Sequence, residues 1–169
     1  NSLLARVGAL YHDIGKLKRP SYFTENQKAN VSPHDELTPR QSAEIIISHV
    51  INGIKIAQKH NIPDRVIDFI RTHHGTSLVF YFFKKQEEIS NEDFNIDDFK
   101  YPGPKPFSKE TAILMMADSV EAASKSLKSP TVDDLKKFVN KIINSQMADQ
   151  QFNSSDITFA EIELVKKVL

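Results

Sequence analysis

The dipeptide His12-Asp13 closes the apolar segment 3–11 and is followed by Ile14-Gly15-Lys16. The segment reads as a mostly buried helix, which sets an imidazole and a carboxylate at its inner end. A carboxylate in that position needs a charge partner, several hydrogen bonds or a metal ion. An adjacent His-Asp pair suits the metal option, because it offers one nitrogen and two oxygens at one point. Taken alone, the pair reads more simply as a helix-capping Asp beside a half-exposed His. The rest of the chain decides between the two.

The remaining sequence is a succession of helical patterns with few strand signals. A polar loop with Pro20, Asn26, Asn30 and Pro33 follows Gly15. Thr38-Pro39 opens a long helix, with Thr38 as N-cap and Pro39 at the first helical position. Its apolar residues Ile46, Ile47, Val50, Ile54 and Ala57 recur at helical spacing. Asn61-Ile62-Pro63 ends that helix and starts the next, which runs through Val66, Ile67, Phe69 and Ile70 into His73-His74 and is stopped by Gly75. The aromatic run 78–83 lacks partner strands and is expected to be a short helix packed on the core. Residues 87–101 are acidic and mixed, and are expected to form a mobile surface loop. Pro102-Gly103-Pro104-Lys105-Pro106 cannot be helical. Ser108, Thr131-Val132-Asp133-Asp134 and Thr158-Phe159-Ala160-Glu161 each announce a further helix start. The expectation is one all-α domain, a helical bundle spanning residues 1–169.

Composition narrows the partners. Hydrophobic residues make up 40% and charged residues 26% of 169, the profile of a soluble globular chain. The formal net charge is zero, so no whole-molecule field draws it onto DNA, RNA or an anionic membrane. Cysteine is absent, which excludes disulfides and thiolate metal sites. No apolar run is long enough to span a bilayer, so the chain does not insert directly into a membrane. It opens on Asn1-Ser2, without methionine and inside a helical pattern, and reads as an N-terminally incomplete piece of a longer polypeptide.

Four further positions repeat the chemistry of His12-Asp13. His49 sits mid-helix among apolar neighbours, His73 and His74 are adjacent at a helix end, and Asp118 follows the apolar run 112–117. Each has a structural alternative: a hydrogen-bonded core histidine, a carbonyl-capping pair, a buried ion pair. All six nevertheless lie on or at the end of apolar helices, and a common compensating charge serves them together. Neighbouring helical residues diverge by about 100°, so adjacent ligands grip opposite sides of a larger cluster more easily than one ion. Asp13 is the natural bridge, since a carboxylate can give one oxygen to each of two ions. We therefore expect a dinuclear site. Imidazole and carboxylate donors suit iron or manganese, leave zinc, cobalt or nickel open, and disfavour calcium. Sites of this kind acidify bound water and clamp a phosphoryl group, so the reaction class is metal-assisted hydrolysis, with a phosphoester the first candidate. Lys16, one helical turn beyond Asp13, is placed to hold a phosphate oxygen; the alternative is a solvated lysine.

The order His-Asp, His, His-His, Asp on helices resembles the HD-domain metal-dependent phosphohydrolase superfamily. Five segments are more specific: Tyr11-His12-Asp13-Ile14-Gly15-Lys16, Phe23-Thr24-Glu25-Asn26-Gln27, Pro33-His34-Asp35, His73-His74-Gly75-Thr76 and Tyr101-Pro102-Gly103-Pro104-Lys105-Pro106. They resemble the cytoplasmic HD domain of seven-transmembrane-receptor HD proteins. The resemblance implies a cyclic di-AMP phosphodiesterase yielding linear pApA at a di-iron or di-manganese centre, in the cytoplasmic part of an integral membrane protein. It assigns His12 and Asp118 to one metal and His49, His73 and His74 to the other, with Asp13 bridging. Asp13 and Lys16 become the catalytic candidates, and Lys16, Asn26, Tyr101 and Lys105 the substrate contacts. The Gly-Tyr-Pro signature of the cyclic di-GMP branch is absent after the double histidine. The family pattern also begins with a histidine upstream of the His-Asp pair, and none precedes His12 here.

Secondary features carry two readings each. His34-Asp35 is a turn feature or lines the substrate entrance, and His60 is an exposed helix cap. Lys16, Lys18, Arg19, Lys28 and Arg40 make the first third locally basic, which suits a dianionic dinucleotide or simply a solvated face. Tyr22, Phe23 and Tyr101 stack on adenine or pack, and Glu121 supports Asp118 or is solvated. The functional alternatives to a cyclic-dinucleotide phosphodiesterase are an HD phosphohydrolase for another nucleotide and a sensing module that binds without turnover. The oligomeric state is not legible.

Overall fold

Helix starts follow the caps written in the sequence. In the computed structural model, which describes residues 1–27, 32–90 and 93–169, seven α-helices are described. They are α1 (Ser2–Tyr11), α2 (Pro39–Lys59), α3 (Asp64–Thr72), α4 (Phe80–Ile89), α5 (Lys109–Ser124), α6 (Val132–Ala148) and α7 (Phe159–Val168). Thr38, Ser108, Thr131 and Thr158 each form a reciprocal capping box with the residue three positions on. Such a cap contributes about 1 kcal/mol to its helix. Gly75, at φ +51°, ends the turn after α3 in the left-handed region. Among the described residues the β pairing is a single antiparallel bridge between Leu78 and Lys100. The all-α expectation holds.

Two apolar clusters flank the centre. One joins Ala43 and Val50 of α2 to Val79, Phe82, Phe99 and Tyr101. The other joins Met115, Met116 and Val120 of α5 to Val139 and Ile143 of α6, Phe152, and Ile162 of α7. Helix α3 lies between them, its Phe69 buried and packed on α1 at Gly8, where any side chain would strike the ring. The 3-10 turn Ile14–Lys18 lies directly on α2. A Cβ on Gly15 would stand 1.8 Å from the carbonyl oxygen of His49, so only glycine permits the approach. That contact carries Asp13 and Lys16 onto the face of α2 that holds His49.

Three expectations are corrected or relocated. Helix α1 is not mostly buried: Gly8 is its one buried residue, and Leu3 and Leu10 are 68% and 81% exposed. It rests on α3 and α5 by one face only, which leaves the opposite leucines in solvent. The stretch 87–101 is not simply a surface loop. Helix α4 runs on to Ile89, a 3-10 turn forms over Ile96–Phe99, and Phe99 and Tyr101 belong to the core. Two phenylalanines of this stretch, Phe94 and Phe99, pack on Phe83, a signal that its acidic composition hid. The aromatic run does form a helix, but one that begins at Phe80 and leaves Phe80 and Tyr81 exposed. Lys28 and Asn30 lie outside the described residues.

Gly15→Ala is therefore expected to destabilise the fold by about 3 kcal/mol, since backbone rather than a movable side chain opposes the new methyl. Urea unfolding of the two proteins measures it, and a loss below about 1 kcal/mol would contradict the close approach.

Candidate metal centre

Four elements deliver the six candidate ligands. His12 caps the end of α1 and Asp13 follows it; His49 lies within α2; His73 caps α3, with His74 next to it; Asp118 lies on α5. Three of the imidazoles are oriented by one local device. The Nδ1–H of His12, His49 and His73 donates to the carbonyl three residues earlier, Ala9, Ile46 and Ile70, at 2.8, 2.6 and 2.8 Å. Each ring is thereby oriented with its Nε2 inward, where it can offer a lone pair once any proton there is displaced.

Those lone pairs converge. His49 Nε2 and His73 Nε2 stand 3.1 Å apart, and both rings are buried. Burial, reinforced by His73, pushes the pKa of His49 down to about 4, so its ring is neutral near neutral pH. Burial and the same neighbours push His74 well below its ordinary value. With each Nδ1 donating to its own helix, the Nε2 atoms of His49 and His73 face each other as acceptors, an arrangement that a cation between them relieves.

Asp13 stands where the two halves meet. Its Oδ1 lies 3.4 Å from His49 Nε2 and 3.7 Å from His73 Nε2, while its Oδ2 lies 3.3 Å from His12 Nε2. Asp118 spans the halves in a similar way, with Oδ1 3.3 Å from His12 Nε2 and Oδ2 3.8 Å from His74 Nδ1. Burial works against a charged Asp13, but His12, His73 and Lys16 hold its carboxyl far below the usual range. Asp13 Oδ1 and His12 Nε2 are buried without a hydrogen-bond partner. Donor atoms fall into two groups, His49 with His73 and His74, and His12 with Asp13 and Asp118, each set within 4.8 Å of one another. Orphaned donors, inward lone pairs and mixed imidazole–carboxylate chemistry all fit metal ions.

His12, Asp13, His49, His74 and Asp118 line one side of a cavity of about 920 Å³, while His73 is fully buried beside them. Lys16 reaches it from below, its ammonium 2.6 Å from Asp13 Oδ2 and 2.8 Å from Glu25 Oε1, and over the Phe23 ring. Tyr101 stacks on His74 with centroids 4.1 Å apart, and burial together with Asp118 and Asp13 pushes its phenol pKa up, so it stays neutral. His34 also lines the cavity, as do Tyr81, Phe82, Lys85 and Lys125. Sequence reasoning gave the last four and Glu25 no role. They are scattered along the chain and become neighbours only when α4, α5 and the 3-10 turns close on one another.

The other sequence candidates are divided between the cavity and the rest of the surface. Asn26 is exposed in a 3-10 turn and does not line the cavity. Lys105 points away from it, its ammonium donating to the carbonyls of Gln150 and Asp149 at 3.1 and 3.4 Å. Tyr22 and Phe23 line the cavity, Phe23 being buried edge-on to His49. Arg40 pairs with Asp98, and Lys18 and Arg19 border a separate groove outside α2. Glu121 lines the cavity and pairs with Lys125, and His60 is an exposed C-cap.

Residues 1–123 match the HD domain family. The chain belongs to the HD domain family. HD domain phosphohydrolases are metal-dependent, in keeping with the donor groups described above. Over its whole length the chain is 46% identical to the cyclic-di-AMP phosphodiesterase PgpH of Bacillus subtilis (strain 168), and covers 24% of that protein. It is likewise 46% identical over its whole length to the cyclic-di-AMP phosphodiesterase PgpH of Listeria monocytogenes serotype 1/2a (strain 10403S), of which it covers 23%. The crystal structure of the L. monocytogenes PgpH HD domain in complex with cyclic-di-AMP matches with a TM-score of 0.94 and 46% identity. That match covers 99% of this chain and 78% of the other. The chain thus spans about a quarter of the length of the curated relatives it matches.

The two donor groups differ in proton content. Burial opposes charge on His12, yet Asp118 and Asp13 outweigh it and push its pKa up to about 10 in the metal-free chain. A cation binding beside His12 must displace a proton at neutral pH, whereas one binding at the already neutral His49 need not. Manganese affinity of the His12 group should therefore rise about tenfold per pH unit below that pKa, while affinity of the group built on His49 and His74, both held below their ordinary pKa, should depend less steeply on pH. Manganese titrations at several pH values check this; equal pH dependence in both groups would contradict the assigned protonation.

Proposed function

We propose that this HD domain is a metal-dependent phosphodiesterase that hydrolyses cyclic di-AMP to linear pApA. The observation that carries the reading is the 46% identity over the whole chain to two cyclic-di-AMP phosphodiesterases, together with the likeness to an HD domain holding cyclic-di-AMP. The six donors gathered in two adjoining groups, five of them on one cavity wall, supply the means.

His12 and Asp118 would hold one ion and His49, His73 and His74 the other, with Asp13 offering one oxygen to each. When bound, two ions of iron or manganese supply Lewis acidity to the phosphoryl group and acidity to water. The remaining work belongs to the chain. The carbonyls of Ala9, Ile46 and Ile70 fix ring orientation before any ligand arrives. Lys16 has two of its three N–H groups engaged by Asp13 and Glu25, which steers the ammonium and leaves one for a phosphate oxygen. Tyr101 gives one ring face to His74, so we assign it to holding that imidazole rather than to stacking on adenine. Asn26 and Lys105 receive no substrate role.

By resemblance, the domain is cytoplasmic and belongs to a membrane-anchored parent. Among the described residues no helix is long and apolar enough to cross a membrane. The zero net charge favours a small anionic substrate over DNA or RNA.

Incubation with cyclic di-AMP, cyclic di-GMP and cyclic mononucleotides in the presence of manganese tests the proposal, with products separated chromatographically. Cyclic di-AMP should be the preferred substrate and pApA the product. Preference for cyclic di-GMP or a mononucleotide would overturn the substrate, and binding without turnover would support a sensing module. Asp13→Ala and His73→Ala should each lower turnover about 10³-fold or more, since the loss is several kcal/mol of charge stabilisation. Helical content should change little.

A further inference from the structure

The last turn of α6 and the segment that follows it lie outside the residues matched to the HD domain family, yet together they reach both halves of the metal centre. Gln151 is 3% exposed. Its Oε1 accepts from the backbone N–H of Thr76 at 3.1 Å and from the Thr76 hydroxyl at 3.4 Å, and its Nε2 lies 3.2 Å from that hydroxyl. One amide thus engages both the N–H and the hydroxyl of the residue two positions after His74. The turn between them favours glycine, because Gly75 has φ +51° and a Cβ there would also press on Gln151 Oε1 at 2.4 Å. Ser77 completes the turn by donating its N–H and its hydroxyl to the His74 carbonyl, at 3.0 and 2.7 Å.

The same segment is tied down on its other side. Lys105 donates to the carbonyls of Asp149 and Gln150, which accounts for a basic residue in the Pro-rich motif that the substrate site does not use. Gly103 of that motif backs onto the Thr76 methyl. One turn earlier, Gln146 donates its Nε2 to the hydroxyl of Ser119, at 2.8 Å, on the residue beside Asp118. Gln151, just past α6, therefore braces the His74 turn, and Gln146, in the last turns of α6, braces the Asp118 helix.

We propose that Gln151 is a positioning residue for the metal centre, holding the His73-His74-Gly75-Thr76 turn so that His74 faces Asp118 and the other imidazoles. The inference rests on the proposed metal site and not on which nucleotide is cleaved. Leucine at position 151 fills similar space but leaves the Thr76 N–H buried without an acceptor, and the turn relaxes to find one. Glutamate keeps two acceptor oxygens for the Thr76 N–H and hydroxyl.

Manganese binding to this chain, measured by competition with a chelator, tests the proposal without any substrate. Gln151→Leu should weaken binding at the histidine group roughly tenfold or more, the usual scale for loss of a group that orients a ligand. Gln151→Glu should restore affinity to near the parent value. With substrate, Gln151→Leu should lower kcat and leave KM close to unchanged. Should Gln151→Leu fail to fold, Thr76→Val carries the test, because it deletes the hydroxyl partner alone; a fewfold weaker manganese affinity supports the proposal. Parent-like manganese affinity in folded Gln151→Leu, or in Thr76→Val where the former does not fold, overturns it, whatever happens to thermal stability. A chain that fails to hydrolyse cyclic di-AMP while Gln151→Leu still weakens manganese binding sinks the substrate assignment and upholds the brace.

Discussion

Two imidazole lone pairs, on His49 and His73, meet at 3.1 Å inside the protein, with a carboxylate oxygen of Asp13 within 3.7 Å of both. Left to themselves, these acceptors repel one another in a medium of low dielectric. The fold forces them together because each ring is fixed from behind by a backbone carbonyl of its own helix. The remaining helices are arranged around that convergence of like groups, and a cation is the simplest agent that turns it from a cost into a gain.

Bringing the ligands together requires backbones to approach more closely than side chains allow. Gly15 lets the turn after α1 lie on the carbonyl of His49, and Gly75 lets the turn after α3 lie against Gln151. At Gly8, α1 touches the ring of Phe69 on α3 in the same way. These contacts set where Asp13, His73 and His74 stand relative to α2 and α5. Apolar packing of Met115, Met116 and Ile143 behind α5 then holds Asp118 at the cavity wall. Stability and chemistry share the same contacts, because the residues that close the core also deliver the donors.

Much of this was legible from local patterns. The reciprocal caps at Thr38, Ser108, Thr131 and Thr158 are encoded within four residues each, so the helix starts could be read directly. The candidate ligands were legible for another reason: a charged or titratable group on an apolar helix is costly alone, and six such groups imply a common compensator. Local patterns misled where burial depends on distant partners. The apolar pattern of α1 says nothing about how many neighbours will cover it, and Leu10 ends in solvent. The acidic composition of 93–101 says nothing about Phe94 and Phe99 finding Phe83. Lys105 sits in a motif that suggests a substrate contact, and it caps the end of α6 because α6 happens to end there.

The sequence by itself determined the all-α character, the helix starts, and the set of imidazole and carboxylate groups that share one core, since these follow from caps, periodicity and the cost of burying charge. Only the tertiary structure decided how those groups are divided. Which oxygen of Asp13 faces which histidine, that Lys16 is tethered by Glu25, and that a glutamine far along the chain clamps the His74 turn are all relations between helices. They are fixed by backbone approach at glycines and by side chains meeting across long separations in sequence, and no local pattern encodes those distances.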